Sequence, residues 1–291
     1  MQNNNLILFT THVINKAVIS EYKKFLNIPG YDCILVIDNE KLKLEPEYSK
    51  LPQQSINYKY VVQKEFFDCN ILCLLFDKSL HDKLKLPHYA KHFRNASFIW
   101  ITWYNADYRF YYAKNFFPNY DYYWQFDYDV FMNGPSYKPF FDKYENNDED
   151  LLITKYRPET KNSSWMWTKN IDWIYDDNVQ LYGSFFPISR LSNRAVDFLY
   201  KKRLEHAELF SKVEASEDTH WVICEEFVPT ELKLNGYTCG NIDEANVRLK
   251  EYDLSEDRIF ECPDNKLYHP VKGGFIKRIE NLKKQIEKTK K

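Results

Sequence analysis

Glycine is scarce, with seven in 291 residues. A glycine-rich loop cradling a nucleotide phosphate therefore has few places to sit, and no HExxH or GxSxG pattern occurs. Kinase, zinc-protease and serine-hydrolase readings are correspondingly weak. The cysteines Cys33, Cys69, Cys73, Cys224, Cys239 and Cys262 form no CxxC pair. They read as reduced cytosolic thiols, neither zinc ligands nor a disulfide framework. No stretch approaches the roughly 20 apolar residues of a membrane span. Residues 1–5 carry no charge and the apolar run 6–9 is too short for a secretory leader, so a cytoplasmic location is expected. The formal net charge of −2 argues against a nucleic-acid partner. There is no internal repeat and no low-complexity segment.

Aromatic residues, by contrast, are plentiful: 18% of the chain, including 23 tyrosines, 21 phenylalanines and seven tryptophans. With 44% hydrophobic residues the chain can bury a sizeable core. Tyrosine also joins an apolar body to a polar tip. Sugars suit such surfaces, because their C–H faces pack on rings while their hydroxyls seek donors and acceptors.

Hydrophobic patterning predicts strands at 6–9, 31–37, 71–76, 98–103, 122–126, 151–154 and 185–188. Helices are expected over 13–26, 87–94, 107–117 and 192–211. Residues 41–60 read mostly as loop, 146–150 as an acidic surface loop, and 221–227 as helical or extended, ending at Pro229. The stretch 157–177 resists assignment. Strands alternating with helices imply an α/β fold with a mostly parallel central sheet and helices on both faces. In such sheets ligands bind beyond the carboxyl ends of the strands, which places Thr10, Asp38 and Asp127 along one rim.

The chemistry centres on Asp127 and Asp129, delivered at i and i+2 by an apolar strand. Where the backbone turns at the strand end, both carboxylates can converge on one divalent ion, and Mg²⁺ or Mn²⁺ takes oxygen ligands together with substrate phosphates. The segment 120–135 resembles the DXD region of bacterial GT-A glycosyltransferases from polysaccharide clusters. Segments 183–192, 224–230 and 268–272 resemble that family's acceptor-side strand and helix start, its acidic segment with a candidate base, and its late histidine motif. The resemblance spans residues 6 to about 272. It implies a GT-A-like catalytic domain at 1–272, with a donor half near 1–135 and an acceptor half near 136–272. It also implies roles: Asp129 on the metal, Asp127 on the ribose or the metal's water shell, His269 as a further ligand, and Lys272 on the diphosphate. The partners would be a nucleotide-sugar donor and a glycan or glycolipid acceptor.

An inverting transfer needs a carboxylate to take the acceptor proton, and a retaining mechanism stays open beside it. Glu225 and Glu226 are the candidates. Glu226 is preferred because it leads directly into Phe227, and Asp218 is a third choice. Thr10 and Asp38 end the first two strands and are expected to meet the nucleoside. Tyr104, Asn105, Asp107 and Arg109 are further donor-side candidates. Trp165, Trp167 and Trp173 are expected to line an acceptor cleft. A metal-dependent nucleotidyltransferase or phosphohydrolase is one rival, since it would use the same carboxylates. A non-catalytic carbohydrate-binding protein is the other. Residues 273–291 read as a basic helical tail, with Phe275, Ile279, Leu282 and Ile286 on one face. Such a tail offers peripheral contact with the inner membrane face.

Overall fold

Every residue of the first strand is buried, and its side chains part to two sides. Leu6 and Leu8 join one core cluster, Ile7 and Phe9 the other. A strand covered on both faces forms the middle of a layered α/β structure. The computed structural model describes residues 4–44, 60–91, 96–160, 165–214, 219–249 and 264–271. Lys272, Asp218, Cys262 and the tail 273–291 lie outside the described residues.

In chain order the strands are β1 (Asn5–Thr11), β2 (Val13–Ile14), β3 (Tyr31–Asp38), β4 (Lys43–Leu44), β5 (Val61–Phe66), β6 (Cys69–Phe76), β7 (Tyr122–Asp127), β8 (Phe131–Met132), β9 (Leu151–Glu159), β10 (Leu181–Ser192), β11 (Cys239–Asn241), β12 (Val247–Leu249) and β13 (Leu267–His269). The helices are α1 (Lys16–Lys23), α2 (Lys78–Lys83), α3 (Phe98–Tyr104), α4 (Tyr108–Phe116), α5 (Lys138–Phe141), α6 (Asn193–Lys212) and α7 (Cys224–Leu234). Eight strands form one sheet in the order β11-β9-β10-β7-β1-β3-β6-β5. Its centre, β7-β1-β3-β6, is parallel. β10 runs antiparallel between β7 and β9, β11 is parallel to β9, and β5 closes the far edge antiparallel to β6. Helices α3, α4, α6 and α7 cover one face, and α1 and α5 the other. The α/β class, the largely parallel sheet and the two helical faces agree with the sequence pattern.

Three local expectations are corrected, and one strand, β5, is additional. Residues 98–103 are helical, not extended. Phe98, Ile101 and Thr102 are buried while Ile99, Trp100 and Trp103 face out, which is a helical period hidden in an apolar run. The helix expected at 87–94 is absent from its described part, 87–91. The turn of helix lies earlier, at α2, where Asp77 Oδ1 accepts the Leu80 N–H at 3.0 Å. The loop expected up to residue 60 is followed at once by β5. Phe67 and Asp68, both at positive φ, form the tight connection from β5 to β6.

The third correction concerns Pro229, which lies inside α7 and does not end it. A proline has no N–H, so the carbonyl four residues back, that of Glu225, loses its helical donor. Ser184 Oγ on β10 donates to that carbonyl at 2.8 Å. Thr230 adds a second stitch, its Oγ1 accepting the Tyr182 N–H at 2.9 Å. The helix is thus tied to β10 at the point where proline would otherwise weaken it.

Candidate functional site

One cleft of about 840 Å³ opens at the carboxyl ends of the parallel strands. Its size is that of a small-molecule site. Thr10, Asp38 and Asp127 all line it, as the strand order requires. β1 and β7 are neighbours, with Thr10 in register with Asp127. The chain leaves β1 toward β3 on one side and returns to β7 on the other, which creates the crevice at a switch in strand order.

Asp127 is held in place by two groups. Thr10 Oγ1 donates to its Oδ1 at 2.8 Å, and Arg109 pairs with the same oxygen at 2.6 Å. Arg109 comes from α4. With the Gln125 amide turned so that both its atoms are satisfied, its oxygen accepts from Arg109 at 3.1 Å. The cation that offsets Asp127 is therefore a side chain.

Asp129 is placed differently. The chain turns after β7 and enters β8, which pairs with β13 so that Phe131 faces Tyr268. Continuing that register brings the Val271 N–H onto Asp129 O at 2.8 Å and His269 Nε2 to 3.3 Å from Asp129 Oδ1. Both residues are buried at the cleft. α1 braces this segment from below: Glu21 accepts the Met132 N–H at 2.7 Å and the Tyr137 hydroxyl at 2.8 Å.

Asp129 and His269 offer one carboxylate oxygen and one imidazole nitrogen. No group of three or more His, Cys, Asp or Glu side chains suited to a metal gathers among the described residues. A two-donor set does not suit a closed structural zinc site. It does fit Mg²⁺ or Mn²⁺, which take their remaining ligands from water and substrate phosphate.

Glu225 enters the cleft from the first turn of α7, whereas Glu226 is fully buried and faces the interior near Tyr175. The two glutamates are thus separated as neighbouring helical residues must be, and the cleft takes the one that sequence reasoning ranked second. Burial pushes the Glu225 carboxyl up to about 7. A backbone hydrogen bond at Phe186, the Lys155 charge, a Trp167 hydrogen bond and the Arg157 charge oppose that rise. A carboxyl near neutrality suits general-base work. Asp38 is likewise raised by burial, against the charges of Lys41 and Arg109. Thr102 Oγ1 donates to it at 3.3 Å.

No protein-family model matches the chain, and no curated protein sequence matches it. Among solved structures, mouse xyloside xylosyltransferase 1 in its apo form matches with a TM-score of 0.41 and 14% identity, covering 92% of this chain and 97% of that one.

The other sequence candidates divide. Tyr104 and Arg109 line the cleft. Asn105 is instead fully buried, accepting from Trp221 Nε1 at 2.8 Å. Asp107 is fully buried against Arg203, which is equally inaccessible, at 2.8 Å. Arg203 also donates to Val222 O at 2.6 Å, just before α7. This buried pair thereby fixes the segment that presents Glu225. Lys155, Arg157 and Lys41 also line the cleft and were not singled out from sequence. Lys155 and Arg157 on β9 and Lys41 in the turn after β3 are isolated cations that carry no motif to mark them.

Of the three tryptophans assigned to an acceptor cleft, Trp165 and Trp167 line it. Trp173 does not. Its Nε1 donates to His220 O at 2.8 Å and its ring packs on Phe210 and Trp221. Trp173→Ala should therefore cost about 2 kcal/mol or more of stability. Trp167→Ala should leave the melting temperature nearly unchanged and raise the acceptor KM. Thermal unfolding of both variants beside acceptor kinetics checks this. The cleft's aromatic lip extends outward through Tyr104, whose ring lies 5.7 Å from Trp167, to Trp103, which is 58% exposed. No helix among the described residues is long and apolar enough to cross a membrane.

Proposed function

We propose that this chain is a nucleotide-sugar-dependent glycosyltransferase of the GT-A type, acting with inversion on a glycan or glycolipid acceptor of surface polysaccharide or glycolipid synthesis. The observation that carries this reading is the presence of two unlike carboxylate stations in one cleft. Asp129, beside His269 at the end of a parallel strand, suits a metal-bound diphosphate. Glu225, on a separate helix with its carboxyl near neutrality, suits an acceptor hydroxyl.

In this reading Glu225 takes the proton of the acceptor hydroxyl as its oxygen bonds to the anomeric carbon. The bond from that carbon to the diphosphate oxygen breaks, and the diphosphate leaves with the electron pair. Asp129 and His269 would hold Mn²⁺ or Mg²⁺. When bound, the metal supplies positive charge where the leaving diphosphate gains negative charge. Lys272 is assigned to the same diphosphate. Asp127, fixed by Arg109 and Thr10, is assigned to the ribose side, with Asp38 on the nucleoside.

A screen of nucleotide-sugars for thermal stabilisation, with and without Mn²⁺, tests the reading. A donor that binds only the native state raises the melting temperature by mass action. One nucleotide-sugar should stabilise the protein, and more so with Mn²⁺. No shift with any donor at saturating metal would overturn the proposal.

A further inference from the structure

We propose that Lys155 and Arg157 bind a negatively charged group, a carboxylate or a phosphate, on the acceptor sugar. The proposal rests on the reading of Glu225 as the acceptor-side base. It starts from an irregularity in the sheet. β9 and β10 pair regularly at Leu151 to Ile153 and again from Arg157 to Glu159, but between these stretches the register shifts twice. Lys155 sits in the shifted stretch with φ at +55°, a conformation that costs a non-glycine residue on the order of 1 kcal/mol. Irregularities of this kind bend a strand and re-aim its side chains, often beside functional sites. Here the re-aimed side chain is a cation that lines the cleft.

The two cations are held differently. The Lys155 ammonium lies 5.1 Å from the centre of the Phe185 ring and has no carboxylate within ion-pair distance among the described residues. Arg157 is fixed on three sides: Nε on Glu159 at 2.5 Å, NH1 on Lys155 O at 3.3 Å, and the guanidinium 5.4 Å from the Trp165 ring. Trp165 is itself seated by close approach. A Cβ at Gly183 would lie 2.4 Å from its ring, so only glycine admits it there. The guanidinium is preorganised and remains partly exposed.

Positive charge in this place works against the base. Lys155 and Arg157 both lower the basicity of Glu225, the group that must accept the acceptor proton. An acceptor bearing its own negative charge beside the reacting hydroxyl gives these cations a partner and restores basicity to Glu225 once bound. Charge-assisted hydrogen bonds to such a group favour it over a neutral twin by about tenfold. The other anion able to draw on the same cations is the donor's diphosphate, and the test separates the two.

Binding by the full-length protein at low salt is measured for matched pairs: methyl glucuronide with methyl glucoside, methyl galacturonide with methyl galactoside, and glucose 6-phosphate with glucose. UDP and GDP are measured alongside. The variants are Lys155→Asn, which suits the positive φ, and Arg157→Gln. At least one anionic member should bind about tenfold more tightly than its twin, and both variants should erase that preference while UDP or GDP binding holds. Absence of preference in every pair overturns the proposal. So does a preference that survives in both variants, or loss of nucleoside-diphosphate binding in place of the preference. If the anion preference appears and depends on Lys155 while no nucleotide or nucleotide-sugar binds, the glycosyltransferase reading fails and the anion site stands.

Discussion

Glu225→Gln should abolish sugar transfer, by a factor of about 10² to 10⁴, while leaving the dissociation constant for the donor within about twofold of wild type. A base acts on the acceptor proton, and the ground-state donor complex makes no demand on it. The pH dependence carries a second signature. The ionised carboxylate is the active form, so kcat/KM should climb as pH rises through about 7, where burial holds the group. Lys155→Asn removes a charge that opposes that rise and should move the limb to higher pH. The same carboxyl affects folding with a definite sign. Its folded-state pKa lies above its ordinary value of 4.5, so the folded protein holds the proton more tightly. Its contribution to stability is present below about 4.5 and is lost as pH rises to about 7. Glu226→Gln is the control: its position in the interior predicts a change in melting temperature and none in the pH profile. A Glu225→Gln enzyme with normal turnover would remove the base assignment.

The second large effect is expected at Asp129. Asp129→Ala should eliminate both transfer and the stabilisation by Mn²⁺, and His269→Ala should do the same in weaker form. Asp127→Ala should cost nearly as much for another reason, since it releases Arg109 into the cleft without its carboxylate. Treatment of the wild type with EDTA should stop transfer, and added Mn²⁺ should restore it. Calorimetric titration of Mn²⁺ into the three variants separates these cases. Full activity in rigorously metal-free buffer would remove the metal from the proposal.

The sequence displayed some of this and concealed the rest for identifiable reasons. The run from Tyr122 to Asp127 was legible because an apolar strand ending in carboxylates has few other readings. Ser192 to Lys212 was equally plain, since Ser192 caps the helix through Ala195 N and the apolar period follows. The run 98–103 misled because five apolar residues and one threonine satisfy both periods, and only the tertiary contacts of Phe98 and Ile101 choose the helix. At the site, the rim residues Thr10, Asp38 and Asp127 followed from their places at the carboxyl ends of parallel strands. The choice between Glu225 and Glu226 did not, because it depends on the rotation of α7 about its axis. That rotation is set by Ser184, Thr230 and the Arg203 contact at Val222. Lys155 was illegible for a similar reason, since its direction comes from a register shift between β9 and β10 that no local pattern announces.

The pairing of Thr10 with Asp127 also has a kinetic consequence. β7 lies between β1 and β10, yet the chain reaches it only after β3, β5 and β6 have been traversed. The carboxylates are therefore assembled by a contact spanning more than a hundred residues, and closing so long a loop slows folding. During synthesis the amino-terminal segment would present β1 with one long edge open until β7 emerges. An exposed apolar edge invites pairing with other chains. Refolding yield should accordingly fall with protein concentration, and the cleft should be among the last features to form.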